Sequence, residues 1–233
     1  MSDMRPYTSA IIAASGNSTR MGLEVSKQLI NLCSKPVIEH TLLAFENCDV
    51  IDEIVVVCRE IDRESIKSIA DKFSKIRAVT IGGDTRADSV RNGVAACSEN
   101  SQFFAIHDGA RPLITKDDIK SVVERAYVTK VATLCTPVTD TIKVVNNDVI
   151  ISTPVRDTLR AVQTPQVFER ELYLLAIDNM ENNNLSVTDD CSMVEALPYD
   201  VTVVGGSPEN IKLTTQTDLI FAEAILKNRD FNS

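Results

Sequence analysis

Three stretches of this chain set small residues beside charged ones in a way that suits phosphate chemistry. The first runs Ala13-Ala14-Ser15-Gly16-Asn17-Ser18-Thr19-Arg20-Met21-Gly22 and continues to Lys27. Small side chains let backbone N–H groups approach phosphate oxygens, and Arg20 and Lys27 can neutralise their charge. The second is Gly82-Gly83-Asp84-Thr85-Arg86-Ala87-Asp88-Ser89-Val90. Its glycines permit close backbone approach, and Asp84 and Ser89 offer polar groups that can read a base edge. The third is His107-Asp108-Gly109-Ala110-Arg111-Pro112. An Asp at a strand tip can bind ribose hydroxyls or a divalent metal, and Arg111 can hold a phosphate.

Each stretch also has a plainer reading. The first is a polar turn after a strand. Asp88 is an acid that favours the first turn of its helix. Asp108 and Arg111 are a surface ion pair beside a capped turn. Neither GxxxxGK[ST] nor GxGxxG occurs, which disfavours a P-loop enzyme and a dinucleotide-dependent oxidoreductase. His107 lies in an apolar strand and reads as a hydrogen-bonded core residue, and His40 reads as a structural residue on a helix. With these two histidines and no HExxH, a dedicated zinc site is not expected.

The elements that must position these stretches alternate between short apolar strands and amphipathic helices. Strands are predicted at Ser9–Ala14, Ile54–Cys58, Ala78–Ile81, Phe103–His107 and Val131–Pro137. Helices are predicted over Pro36 to Asn47, Arg63 to Phe73, Arg86 to Cys97, and from a capping box at Thr115–Asp118 to about Tyr127. Such alternation implies parallel strands sandwiched by helices, with ligands beyond the carboxyl ends of the strands. The pattern then breaks. Thr141–Val145 and Val149–Thr153 flank Asn146-Asn147-Asp148, a hairpin signal that fits either a protruding arm or an antiparallel edge pair. Helices near Glu169–Glu181 and from Thr188, a strand at Val201–Val204, and a last helix opened by a box at Thr215–Asp218 complete the reading.

Composition bounds the rest. The 233 residues include 24 Lys+Arg against 33 Asp+Glu, a net charge of −9, with 44% apolar and 24% charged residues. That is a globular composition, long enough to bury a core without staples. The acidic balance argues against nucleic acid as a partner, yet leaves room for a local cationic cluster. The cysteines at 33, 48, 58, 97, 135 and 191 show no CxxC pair and read as reduced thiols. No apolar run approaches the ~18 residues of a membrane span, so no membrane association and a cytoplasmic location are expected. No repeat or linker divides residues 1–233, which suggests one domain with an arm at about 139–155.

Taken in order, the segments resemble the 2-C-methyl-D-erythritol 4-phosphate cytidylyltransferase family. The resemblance runs from about Ser9 to Leu226. It adds Pro137-Val138-Thr139-Asp140-Thr141-Ile142-Lys143, Thr164-Pro165-Gln166, Thr188-Asp189-Asp190 and Asn210-Ile211-Lys212-Leu213-Thr214 to the three stretches above. Ser18 stands where the family has its second loop glycine, Ser15 where alanine is usual, and Ser26 where proline is common. A left-handed backbone at position 18 would cost Ser about 1 kcal/mol or more. The resemblance implies a Rossmann-like α/β nucleotidyltransferase fold, with a mostly parallel sheet and a protruding β-arm. It implies CMP transfer from CTP to methylerythritol 4-phosphate, with Mg2+ bridging triphosphate oxygens. Arg20 and Lys27 would stabilise charge, and Ala13, Ala14, Ser15, Gly16 and Ser18 would cradle the triphosphate. Gly83, Asp84 and Ser89 would select cytosine, and Asp108 would serve the ribose or the metal. Arg111, Thr164, Thr188 and Lys212 would hold the acceptor, and Arg156 would reach the acceptor of a neighbouring subunit in a homodimer built on the arm.

Two alternatives share this fold. One is a ribitol 5-phosphate cytidylyltransferase, and the other a CTP sensor without catalysis. The presence of both Arg20 and Lys27 speaks against the sensor, because a binder needs no cations at the α-phosphate. Lys27→Ala and Arg20→Ala are each expected to lower kcat by roughly 10²–10³ with the fold intact. Turnover measured beside circular dichroism checks this, and near-normal kcat removes the assignment of that residue.

Overall fold

A computed structural model describes residues 5–16, 26–183, 185 and 187–231. From the N-terminus the elements are β1 (Thr8–Ala14), β2 (Asn31–Leu32), β3 (Lys35–Pro36), α1 (Val37–Glu46), β4 (Glu53–Cys58) and α2 (Arg63–Ala70). Then come β5 (Ile76–Ile81), α3 (Arg86–Ala96), β6 (Phe103–Asp108), α4 (Lys116–Thr129), β7 (Val131–Pro137), β8 (Val144–Asn146) and β9 (Val149–Ser152). The chain ends with β10 (Arg160–Glu169), α5 (Arg170–Asn182), α6 (Asp190–Glu195), β11 (Thr202–Gly205) and α7 (Gln216–Phe231).

The central sheet has the order β11-β7-β10-β6-β1-β4-β5. Strand β1 pairs in parallel with β4 and β6, as do β4 with β5 and β7 with β11. Both faces of these strands are covered, so they read as continuous apolar runs and their alternation assigns residues to faces. Ala10, Ile12, Ile54 and Val56 pack with Ile38, Leu42 and Phe45 of α1 and Ile119 and Val123 of α4. Ile11, Val55, Val57, Phe104 and Ile106 face the opposite side, against Val90 of α3 and Leu172 and Tyr173 of α5. No disulfide forms, and burial pushes the Cys97 thiol up to about 12. No helix among the described residues is long and apolar enough to cross a membrane.

Strand β10 is absent from the elements predicted above. It runs antiparallel between β6 and β7. Its centre, Gln163-Thr164-Pro165-Gln166, is polar and contains proline, which argues against a central strand. The structure accommodates it because the pairing with β7 shifts register between Val162 and Gln166, so the ladder is interrupted there. The buried pair Val167-Phe168 was the available signal.

The predicted hairpin is present, and it forms a two-stranded sheet of its own rather than an edge of the central one. Asn147 and Asp148 have φ of 46° and 62°, as a tight two-residue turn requires. Val144, Val145, Val149, Ile150 and Ile151 are all exposed. Helix starts differ in detail from expectation. Thr115 caps α4 on one side only: its hydroxyl accepts from the Asp118 amide, while the Asp118 carboxylate takes the hydroxyl proton. Reciprocal boxes lie at Thr85 with Asp88, opening α3, and at Asp189 with Ser192, opening α6. Another reciprocal pair, Thr215 with Asp218, opens α7 as expected.

Helix α3 rests its backbone on the sheet at Gly93. A Cβ there would lie 2.6 Å from Ile11 Cγ2 and 2.8 Å from Val57 Cγ2, both on buried β-branched side chains. Gly93→Ala is therefore expected to destabilise the fold by about 1–3 kcal/mol. A urea midpoint lowered at constant slope would show it.

Candidate active site

Two cavities open side by side near the carboxyl ends of β1, β5 and β6. The first is lined by Ala13, Ser15, Gly16, Lys27, Gln28, Gly83, Asp84, Thr85, Arg86, Ser89, Asp108, Ala110 and Lys212. The second is lined among others by Arg111, Gln163, Thr164, Gln166, Thr188, Asp189 and Ser192. Arg86, Asp108 and Lys212 border both.

The wall of the first cavity is held by its own hydrogen bonds. Ser89 is buried, and its hydroxyl donates to the Thr85 carbonyl at 2.9 Å. The same oxygen accepts from the Gly83 amide at 3.1 Å and from the Ser15 hydroxyl at 2.9 Å. Ser15 thus ties the loop after β1 to the loop after β5. A Cβ on Gly82 would fall 2.6 Å from Ser89 Oγ and 2.7 Å from Ser15 Cβ, so only glycine fits between them. Lys27 is buried in a short turn, with Nζ donating to the Leu213 carbonyl at 3.3 Å.

Charge concentrates where the cavities meet. Asp108 Oδ2 lies 2.9 Å from Lys212 Nζ and 3.4 Å from Arg111 Nε. Burial by itself would raise the Asp108 carboxyl, but Lys212 foremost, with Arg86 and Arg111, holds it down at about 2. Arg86 also pairs with buried Asp190 at 2.5 Å, and Asp190 accepts from the Tyr173 hydroxyl at 2.7 Å. The two cavities are together lined by Lys27, Arg86, Arg111 and Lys212 and by the carboxyls of Asp84, Asp108, Asp189 and Glu195. The cations of the common wall, Arg86 and Lys212, suit phosphorylated ligands that meet there.

Residues 8–228 match the family described as 2-C-methyl-D-erythritol 4-phosphate cytidylyltransferase. The chain belongs to this family. A relative of that name from Alkaliphilus oremlandii is 44% identical over 226 residues, covering 95% of this chain and 96% of its own. Another from Clostridioides difficile is 40% identical over 220 residues, covering 94% and 93%. The crystal structure of 4-diphosphocytidyl-2C-methyl-D-erythritol synthase from Anaerococcus prevotii superposes with a TM-score of 0.86 at 33% identity, covering 95% of this chain and 99% of that one.

Within this cytidylyltransferase, most residues singled out from sequence gather at the two cavities. Ala13, Ser15, Gly16, Lys27, Gly83, Asp84 and Ser89 line the first. Arg111, Thr164 and Thr188 line the second, with Asp108 and Lys212 common to both. Ala14 is fully buried, 3.2 Å from where a Cβ on Gly109 would sit, so it supports the loop rather than lining a cavity. Ser18 and Arg20 lie outside the described residues. Arg156 is exposed and joins neither cavity; its Nη1 donates to the Thr139 carbonyl at 3.2 Å. Sequence reasoning missed Arg86, although it stands inside a quoted motif, because its partner Asp190 is 104 positions away. It also missed Gln28, which adjoins Lys27. Among the described residues no three His, Cys, Asp or Glu side chains group to hold a metal.

His107 is fully buried behind Asp108, and burial pushes its ring down to about 4 despite the Asp108 charge beside it. The unfolded ring takes up its proton near 6.5. This group's contribution to stability is thus complete above about pH 6.5 and is lost as pH falls toward 4. Denaturant unfolding between pH 7.5 and 5 is expected to show the decline, and His107→Phe to flatten it. An unchanged slope in that variant would contradict the assignment.

Proposed function

We propose that the two cavities form one active site that transfers CMP from CTP to 2-C-methyl-D-erythritol 4-phosphate and releases pyrophosphate. The observation that carries this reading, beside family membership, is the pair of adjoining cavities with Arg86, Asp108 and Lys212 in their common wall. In the reaction an acceptor phosphate oxygen bonds to the α-phosphorus of CTP. The bond from that phosphorus to the bridging oxygen breaks, and pyrophosphate leaves with the electron pair. The nucleophile is already ionised near neutral pH, because a phosphate monoester has its second pKa at ~6. A general base is therefore unnecessary, which agrees with a site whose nearest histidine is buried and neutral. What remains is to bring two polyanions together and stabilise the charge that develops, by positioning and fixed cations.

In this reading the triphosphate lies along Ala13, Ser15, Gly16 and Ser18, with Ala14 packed beneath the loop and Arg20 and Lys27 on the reacting phosphate. Gly83 and Asp84 read cytosine, and Ser89 acts by holding the Gly83 amide. Arg111, Thr164, Thr188 and Lys212 form the acceptor side. The donor set suits Mg2+ held mainly by substrate phosphates, since Asp108 is the one carboxylate in the wall common to both cavities. Bound there, Mg2+ would supply charge neutralisation on the triphosphate. The chain acts as one nucleotidyltransferase domain in the cytoplasm. Its exposed apolar arm, residues 139–155, pairs with a second copy, and Arg156 serves the partner's acceptor cavity.

Purified protein with Mg2+ and CTP is expected to release pyrophosphate with methylerythritol 4-phosphate and not with ribitol 5-phosphate. Release with ribitol 5-phosphate alone would move the protein to another acceptor. Arg156→Ala is expected to raise the KM for the acceptor far more than that for CTP, and equal changes would remove the arm's role.

A further inference from the structure

His107, Arg111, Asn210 and Thr164 close a ring of hydrogen bonds behind the acceptor cavity. His107 Nε2 lies 3.3 Å from the Arg111 carbonyl oxygen, which can only accept. Nε2 therefore carries the proton, and Nδ1 of the neutral ring is an acceptor. Thr164 Oγ1, 3.0 Å from Nδ1, must donate to it. The same hydroxyl oxygen accepts from the Asp108 amide at 3.1 Å. Arg111 Nη1 donates to the Asn210 carbonyl at 2.8 Å, and Asn210 Nδ2 donates to the Thr164 carbonyl at 3.0 Å. One more bond, from the Leu213 amide to the Ala110 carbonyl at 2.8 Å, fastens the segment carrying Lys212 to the loop carrying Arg111.

We propose that His107 is a positioning residue that, through Thr164 and Arg111, sets Asp108, Arg111 and Lys212 in register for the acceptor phosphate. The proposal rests on the reading of the second cavity as the acceptor site. It gives Thr164 a specific part: its hydroxyl proton is committed to His107, so Thr164 acts by holding the loop rather than by donating to the substrate. The ring links β6, β10 and the segment before α7 directly behind the cavity wall. A shift of about 1 Å in such a set can cost ~10² in rate. Phe45 packs on the His107 ring with centroids 5.0 Å apart, so a phenylalanine at 107 preserves shape and removes both hydrogen bonds.

The test has two arms. With CTP, Mg2+ and methylerythritol 4-phosphate, His107→Phe and Thr164→Val are each expected to raise the acceptor KM roughly ten-fold or more, as buried unpaired groups cost. The KM for CTP should rise less than that for the acceptor, because neither residue lines the first cavity and, of the three residues they position, Arg111 lines the second alone. The double variant should be no worse than the worse single one, and Thr164→Ser should recover most of what Thr164→Val loses. Independent multiplication of the two effects, or equal changes in both KM values, would overturn the proposal. The second arm needs no activity. The chain has two histidines, so nitrogen-15 spectra of the imidazoles are assignable with a His40→Gln control. The Nε2–H tautomer is expected at His107, with the Nδ1 signal moving in Thr164→Val. An Nδ1–H tautomer, or no response, would overturn the proposal even if His107→Phe failed to fold. A native protein that released no pyrophosphate yet showed the expected spectra would instead refute the acceptor reading.

Discussion

Asp108 stands at the carboxyl end of β6, largely buried, with Lys212 and Arg111 at its Oδ2 and Arg86 bordering the same two cavities. These three cations come from α3, the loop after β6 and the segment before α7. Brought together without an anion they would repel one another, by ~4 kcal/mol for a pair at 4 Å in a protein-like dielectric. The carboxylate offsets that repulsion, and the cations in turn hold it ionised well below the usual carboxylate range. Removing one partner of such a buried set leaves uncompensated charge, which is more damaging than losing the pair's attraction.

Around that charge the loops are stiffened by bonds they make to each other. The Ser89 hydroxyl is fully engaged by Thr85, Gly83 and Ser15, so the turn after β5 is held before any ligand arrives. Ser15 adds one of those bonds and so ties the loop after β1 to the turn after β5. On the other cavity, Gln166 Nε2 donates to Asp189 and its Oε1 accepts from the Cys191 amide, fixing the start of α6 to β10. Preorganisation of this kind suits a reaction that lacks a general base and depends on placing phosphates and fixed charges.

The arm stands apart from this logic. Its strands bury nothing within the chain, and its apolar residues face outward on both sides. An isolated two-stranded hairpin is marginal in water, and this one gains no burial from the rest of the chain.

Much of this architecture was legible in residue order. Strand-and-helix alternation, the hairpin at Asn147-Asp148 and the small-residue loops after β1 and β5 follow from local periodicity and turn chemistry, which act over a few residues. The motifs sufficed to indicate the family. Strand β10 escaped because its proline and glutamines contradict the local rule, and only a register shift beside β7 makes room for them. The common wall of the cavities escaped for a related reason. Arg86 with Asp190, Lys212 with Asp108 and Thr164 with His107 are pairs separated by 104, 104 and 57 positions. Their pairing, and the protonation states that follow, depend on burial and distance. Those quantities exist only once the sheet has brought β6 and β10 side by side.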